Sequence, residues 1–122
     1  MNPSTLTPMD QYRLAELNLD IGDPRRAVQL LEELINTTPA DATTAVRLLL
    51  ARAYYHSAQL RRAEEQFQHV LAADPTDHWA HFALGRTLER QSRPGEALRH
   101  FRIAAALTAD GEYAAAVTRL AS

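Results

Sequence analysis

The chain has 122 residues, 46% of them hydrophobic and 23% charged, with a formal net charge of -2. That balance suits one globular domain, excludes general disorder, and offers no basic surface for nucleic acid. Cysteine is absent, which excludes disulfide frameworks, thiolate zinc sites and cysteine nucleophiles.

Met1 to Thr7 carry no basic cluster and no apolar core. No later stretch reaches the roughly 18 apolar residues of a membrane span, so a cytoplasmic protein with no membrane partner is expected. All thirteen basic residues are arginine, so the surface offers guanidinium groups and no lysine amines.

Thr7-Pro8-Met9-Asp10 opens the first helix with a capping hydroxyl, a proline in the first turn and an acid three residues after the cap. Leu14, Ala15 and Leu17 follow at helical spacing, and Gly22-Asp23-Pro24 ends the run. A second helix carries Ala27, Leu30, Leu31 and Leu34, and Thr38-Pro39-Ala40-Asp41 closes it, with Asp41 as the next cap. The same order returns with Leu50 and Ala51, the turn Ser57-Ala58-Gln59, then Ala63, Phe67 and Val70, and Asp74-Pro75-Thr76-Asp77 with Asp77 as cap. It returns again with Leu84 and Gly85, the turn Ser92-Arg93-Pro94-Gly95, then Ala97, Phe101 and Ala104. Residues 111–122 place Tyr113, Ala116, Val117 and Leu120 on one face of a short helix that must dock to persist.

Leu14 to Leu50 spans 36 positions and Leu50 to Leu84 spans 34, a period that marks a stacked solenoid of helical hairpins. Small residues at Ala15, Ala51 and Gly85, and at Ala27, Ala63 and Ala97, allow close helix approach, while Leu31, Phe67 and Phe101 fill the space between helices. Together with Pro39 and Pro75 closing two units, this pattern resembles the tetratricopeptide repeat family over about residues 8 to 109. Gln11, Arg47 and His81 depart from the bulky aromatic common early in the first helix, and Ala109 replaces the closing proline.

The resemblance implies an all-α fold, a right-handed superhelix of three antiparallel helical hairpins plus a short C-terminal capping helix. One domain over 1–122 is expected, with repeats at about 8–41, 44–77 and 78–111 and the last helix at about 112–121. It also implies that the first helix of each hairpin lines a concave groove for a peptide. On those helices a stripe at i, i+4, i+7 faces away from the packing residues: Tyr12, Glu16, Leu19; Leu48, Arg52, Tyr55; Phe82, Arg86, Glu89. His56 and Arg90 lie one turn beyond the arginines, and Trp79 stands near the start of the third such helix. The peptide-binding residues expected are thus Tyr12, Glu16, Leu48, Arg52, Tyr55, His56, Trp79, Phe82, Arg86, Glu89 and Arg90. Aromatic and arginine side chains together suit a partner with acidic groups or a free C-terminus. One branch of the family clamps the C-terminal carboxylate of chaperone tails with lysines and asparagines. Here Tyr12, Glu16, Leu49, Trp79 and Ala83 occupy those places, so that partner does not carry over.

His78 and His81 are spaced as two metal ligands could be, but a third is missing, and solvated or groove-lining rings are expected. His56, His69 and His100 are isolated in sequence, the four glycines form no phosphate loop, and no serine or threonine sits in a nucleophile motif. Arg25-Arg26 and Arg61-Arg62 recur at the start of the second helices, where a solvated face is expected. No catalytic residue, cofactor or metal is assigned. The function expected is non-enzymatic protein or peptide binding, with self-association through the C-terminal helix or the groove as the alternative.

Overall fold

A computed structural model describes residues 6–39 and 43–121. Among these the structure is helical throughout: α1 (Pro8–Asp20), α2 (Pro24–Ile35), α3 (Thr43–His56), α4 (Leu60–Ala73), α5 (His78–Arg90), α6 (Pro94–Leu107) and α7 (Gly111–Ala121). These helices form two compact units, residues 1–59 and 60–122, and the division falls at the turn between α3 and α4.

The helix starts follow the local chemistry. Thr7 Oγ1 accepts from the Asp10 N–H at 3.1 Å, Asp23 Oδ1 from the Arg26 N–H at 3.1 Å, and Asp77 Oδ1 from the Ala80 N–H at 3.0 Å. Each satisfies a first-turn donor that has no partner within its helix. Pro8, Pro24 and Pro94 take the first helical turn, where no N–H is required. The cap expected at Asp41 lies outside the described residues.

One device ends α1, α3 and α5. Gly22, Ala58 and Ser92 adopt φ values of +85°, +62° and +60° at equivalent places in the three turns. In each, the following N–H reaches back five residues: Asp23 to the Asn18 carbonyl at 2.7 Å, Gln59 to Tyr54 at 2.8 Å, and Arg93 to Leu88 at 3.0 Å. Inside these, Gly22, Ala58 and Ser92 donate to Leu19, Tyr55 and Glu89. The paired bonds form a Schellman motif, which satisfies the last carbonyls and reverses the chain.

In the unit of residues 1–59, α2 packs against both α1 and α3. Ala15, Ala27 and Leu31 are fully buried there, with Leu30 and Leu34 beside them. Gln11 of α1 reaches across the first hairpin and donates to the Leu30 carbonyl at 2.8 Å. In the unit of residues 60–122, α5 packs on α4 and α6, and α6 packs on α7. Ala63, Ala97 and Phe101 are completely enclosed, and Phe67 is nearly so. Phe101 needs Gly85: a Cβ there would lie 2.5 Å from Phe101 Cε1. The small and large positions read from the sequence are therefore the contact positions of the folded hairpins.

Among the described residues no helix is long and apolar enough to cross a membrane.

Candidate functional site

In the first unit the candidate residues come from α1 and α3, which also touch directly. Leu14 and Ala15 on α1, and Leu50 and Ala51 on α3, turn inward. Helical geometry therefore turns Tyr12, Glu16, Leu48, Arg52 and Tyr55 the other way. Glu16, Arg52 and His56 are exposed, and Tyr12, Leu48 and Tyr55 are half-buried. The Tyr12 phenol feels the charges of both Glu16 and Arg52. Burial and the Glu16 carboxylate raise its pKa above the ordinary tyrosine value, while the Arg52 guanidinium acts in the opposite direction. The Tyr55 and His56 rings meet edge to face, with centroids 5.4 Å apart.

Tyr12 also walls a cavity of about 300 Å³ between the start of α1, the end of α2 and the start of α3. Met9, Leu34, Pro39 and Val46 line it, and among the described residues no charged side chain does. Met9 is 58% exposed at its mouth, and Leu17, further along α1, is 53% exposed. An apolar recess thus adjoins an exposed guanidinium and an exposed carboxylate.

In the second unit the structure corrects part of the expected site. Phe82, placed by the sequence on an open face, is only 7% exposed. Its ring packs against Phe101 at 5.4 Å and against Tyr113 at 4.7 Å between centroids. The reason is α7, which lays Tyr113 and Ala116 onto that face. Glu89 is likewise engaged: both of its oxygens take N–H groups of Arg119, one of them at 3.0 Å. This pairing holds the Glu89 carboxyl below the usual glutamate range, with Arg86 adding a smaller pull. Arg86 stays exposed and stacks its guanidinium over Phe82, 5.9 Å from the ring centre. Arg90 is exposed, and Trp79, 37% exposed, meets the Phe67 ring edge at 6.0 Å.

α7 adds residues that the stripe on α5 did not include. Glu112, Ala115 and Arg119 join Phe82, Arg86 and Phe101 around a recess of about 330 Å³. Only the amphipathic pattern of residues 111–122 pointed to this helix, and its seat on α5 and α6 was not readable from that pattern.

His81 and His100 depart from expectation. His78 and His81 do not converge: His78 Nδ1 bonds the Tyr113 hydroxyl at 2.9 Å, and His81 turns inward. His81 is 7% exposed rather than solvated. Its partner is His100, which sequence separation made look isolated: the two Nδ1 atoms are 3.1 Å apart. Among the described residues no group of three or more His, Cys, Asp or Glu side chains is arranged to hold a metal ion. Arg25, Arg61 and Arg62 are exposed, as a solvated face requires, and Arg26 bonds the Gln29 side chain at 3.2 Å.

Two family models, each described as Tetratricopeptide repeat, match residues 22–78 and 67–99. The chain belongs to the tetratricopeptide repeat family. No curated protein sequence matches this tetratricopeptide repeat chain. Solved structures share its fold. The chain of the APC/C hetero-tetramer Cut9-Hcn1 is 17% identical with a TM-score of 0.87, over 97% of this chain and 24% of that one. MamA 41-end from Desulfovibrio magneticus RS-1 is 17% identical with a TM-score of 0.85, over 93% of this chain and 64% of that one. The first TPR of Spaghetti (RPAP3) bound to the HSP90 peptide SRMEEVD is 12% identical with a TM-score of 0.83, over 93% of this chain and 90% of that one. The tetratricopeptide repeat chain thus spans less than two thirds of the MamA chain and about a quarter of the Cut9-Hcn1 chain. At these identities the likeness is one of fold.

Proposed function

We propose that this tetratricopeptide repeat chain is a non-enzymatic protein-interaction module that binds a peptide or partner protein on the α1–α3 face. The observation that carries this reading is the apolar recess beside Tyr12, with Arg52 and Glu16 exposed next to it. An apolar pocket flanked by a few charged groups is the usual form of a binding anchor, in which burial supplies affinity and the charges orient the ligand. Arg52 suits a carboxylate, so the partner places an apolar side chain in the recess and an acidic group near Arg52. That a related fold was solved with the HSP90 peptide SRMEEVD supports a peptide as occupant. The sequence of that peptide does not transfer, because Tyr12, Glu16 and Leu49 stand where a carboxylate clamp needs basic and amide groups.

Affinity capture on immobilised protein, comparing wild type with Arg52→Glu and Arg86→Glu, tests the reading. A partner retained by wild type is lost on Arg52→Glu. Arg86→Glu, on the face that α7 partly covers, has the smaller effect. Identical partners on all three proteins would overturn the placement on α1 and α3.

A second reading is self-association through α1, favoured by the exposure of Met9, Leu17 and Ile21, the last at 68%. Light scattering across micromolar concentrations separates the two: a dimer lost on Leu17→Glu supports self-association, and a monomer throughout removes it. α7 is less suited to that role, since Tyr113 and Ala116 are already buried within the chain.

A further inference from the structure

The His81–His100 contact is a polar tie between two helices made from two titratable rings. His81 Nε2 lies 2.8 Å from the Pro75 carbonyl, which can only accept, so His81 carries its hydrogen on Nε2. Its Nδ1 is then an acceptor, and the bond to His100 Nδ1 at 3.1 Å requires His100 to carry its hydrogen on Nδ1. The two rings are nearly parallel, 27° apart, with centroids 5.3 Å apart. Hydrogen-bond direction thus runs from His100 on α6 to His81 on α5, and from His81 to the loop that precedes α5. The pair holds three segments of the second unit together, and the bond between the two rings needs neutral His81, because only then can its Nδ1 accept.

The first hairpin shows what this position does elsewhere in the chain. Gln11 and His81 are equivalent in the repeat, as are Leu30 and His100, and Gln11 donates to the Leu30 carbonyl. The same cross-hairpin tie is therefore built there from groups that do not titrate.

We propose that the His81–His100 pair is an acid-sensitive latch, which holds α5 on α6 while both rings are neutral and releases it when the pair is protonated. A proton on His81 Nδ1 removes the acceptor and sets N–H against N–H. A proton on His100 Nε2 places a cation in a half-buried site beside Arg99. The charged groups acting on His100 are Glu64 from α4, and Glu96 and Arg99 from its own helix. Both carboxylates are already bonded to Arg93, at 2.8 Å and 2.6 Å, which limits their ability to favour an imidazolium. Burial first, then His81 and Arg99, push His100 down to about 4. The unfolded rings titrate near 6.5. Because the folded value is depressed, the stabilisation is complete above about pH 6.5 and is lost as pH falls towards about 4.

Trp79, the only tryptophan, lies on α5 and reports this region directly. Urea unfolding of the full chain followed by Trp79 fluorescence at pH 7 and pH 5 compares wild type with His81→Gln/His100→Asn, which keeps amide donors and acceptors but has no titrating ring. The wild-type midpoint falls between these two values, and the double variant's midpoint falls by less than half as much. His69→Asn, which removes an exposed ring on α4, keeps the wild-type slope. Arg119 and Arg93, which hold the Glu89 and Glu96 carboxyls below their ordinary value, are unchanged in every protein compared. Parallel falls in wild type and double variant would overturn the latch. If the double variant does not fold, long-range proton–nitrogen spectra of the wild-type rings decide. Nε2–H on His81 with Nδ1–H on His100, and a depressed His100 titration, support the latch. The opposite tautomers, or His100 titrating near 6.5, overturn it.

Discussion

Phe101 of α6 lies so close to Gly85 of α5 that a Cβ at position 85 would come within 2.5 Å of Cε1 and 2.7 Å of Cδ1 of the ring. The ring is completely buried and packs against Phe82, so moving it disturbs its neighbours. Gly85→Ala therefore destabilises the chain by about 1–3 kcal/mol, despite alanine's better helix propensity. Phe101→Leu in the same background recovers part of the loss. Chemical denaturation of the two single variants and the double variant measures the coupling, and additive effects would contradict the contact.

The turns after α3 and α5 place Ala58 and Ser92 in the left-handed region, which costs a residue with a Cβ about 1–2 kcal/mol. The equivalent residue after α1 is Gly22. Ala58→Gly and Ser92→Gly each stabilise the chain by about 0.5–1 kcal/mol, the difference being the greater freedom of glycine when unfolded. Thermal and urea unfolding check both, with Gly22→Ala expected to shift stability the other way.

Tyr113 anchors α7 through two separable contributions, its ring on Phe82 and its hydroxyl on His78 Nδ1. Tyr113→Phe keeps the ring and loses about 0.5–1.5 kcal/mol. Tyr113→Ala loses about 3 kcal/mol and exposes Phe82. Protection of the α7 amides from hydrogen exchange follows this order, and equal effects of the two substitutions would mean that the hydroxyl alone holds the helix.

Arg119→Ala frees the Glu89 carboxylate, whose pKa rises towards the ordinary value of 4.5 because the first cause of its depression is gone. The sign follows from linkage: a depressed carboxyl contributes stability above its unfolded value and loses it as pH falls through the folded one. Side-chain carbon spectra recorded against pH read the shift directly. The stability change is small, because both side chains face solvent in part.

The candidate site was only partly legible. Tyr12, Leu48, Arg52 and Tyr55 lie on the side of α1 and α3 turned away from Ala15 and Ala51, and that placement follows from helical period alone. Phe82 obeys the same period, yet it is buried. What covers it is Tyr113, 31 positions away in sequence, and no spacing rule states which helix face α7 will choose. Glu89 was paired by Arg119 for the same reason. His81 and His100 stand 19 positions apart on different helices, and they meet only once α5 has packed on α6.

By itself the sequence determined the elements and their order. Caps, prolines, turn residues and the spacing of alanine, leucine and phenylalanine act within one or two turns, or repeat with the period, and such local signals survive in a linear string. Tertiary structure alone decided which exposed-looking side chains stay exposed. That depends on long-range contacts such as Tyr113 on Phe82, Arg119 on Glu89 and His100 on His81, whose free energy exists only once the helices have packed.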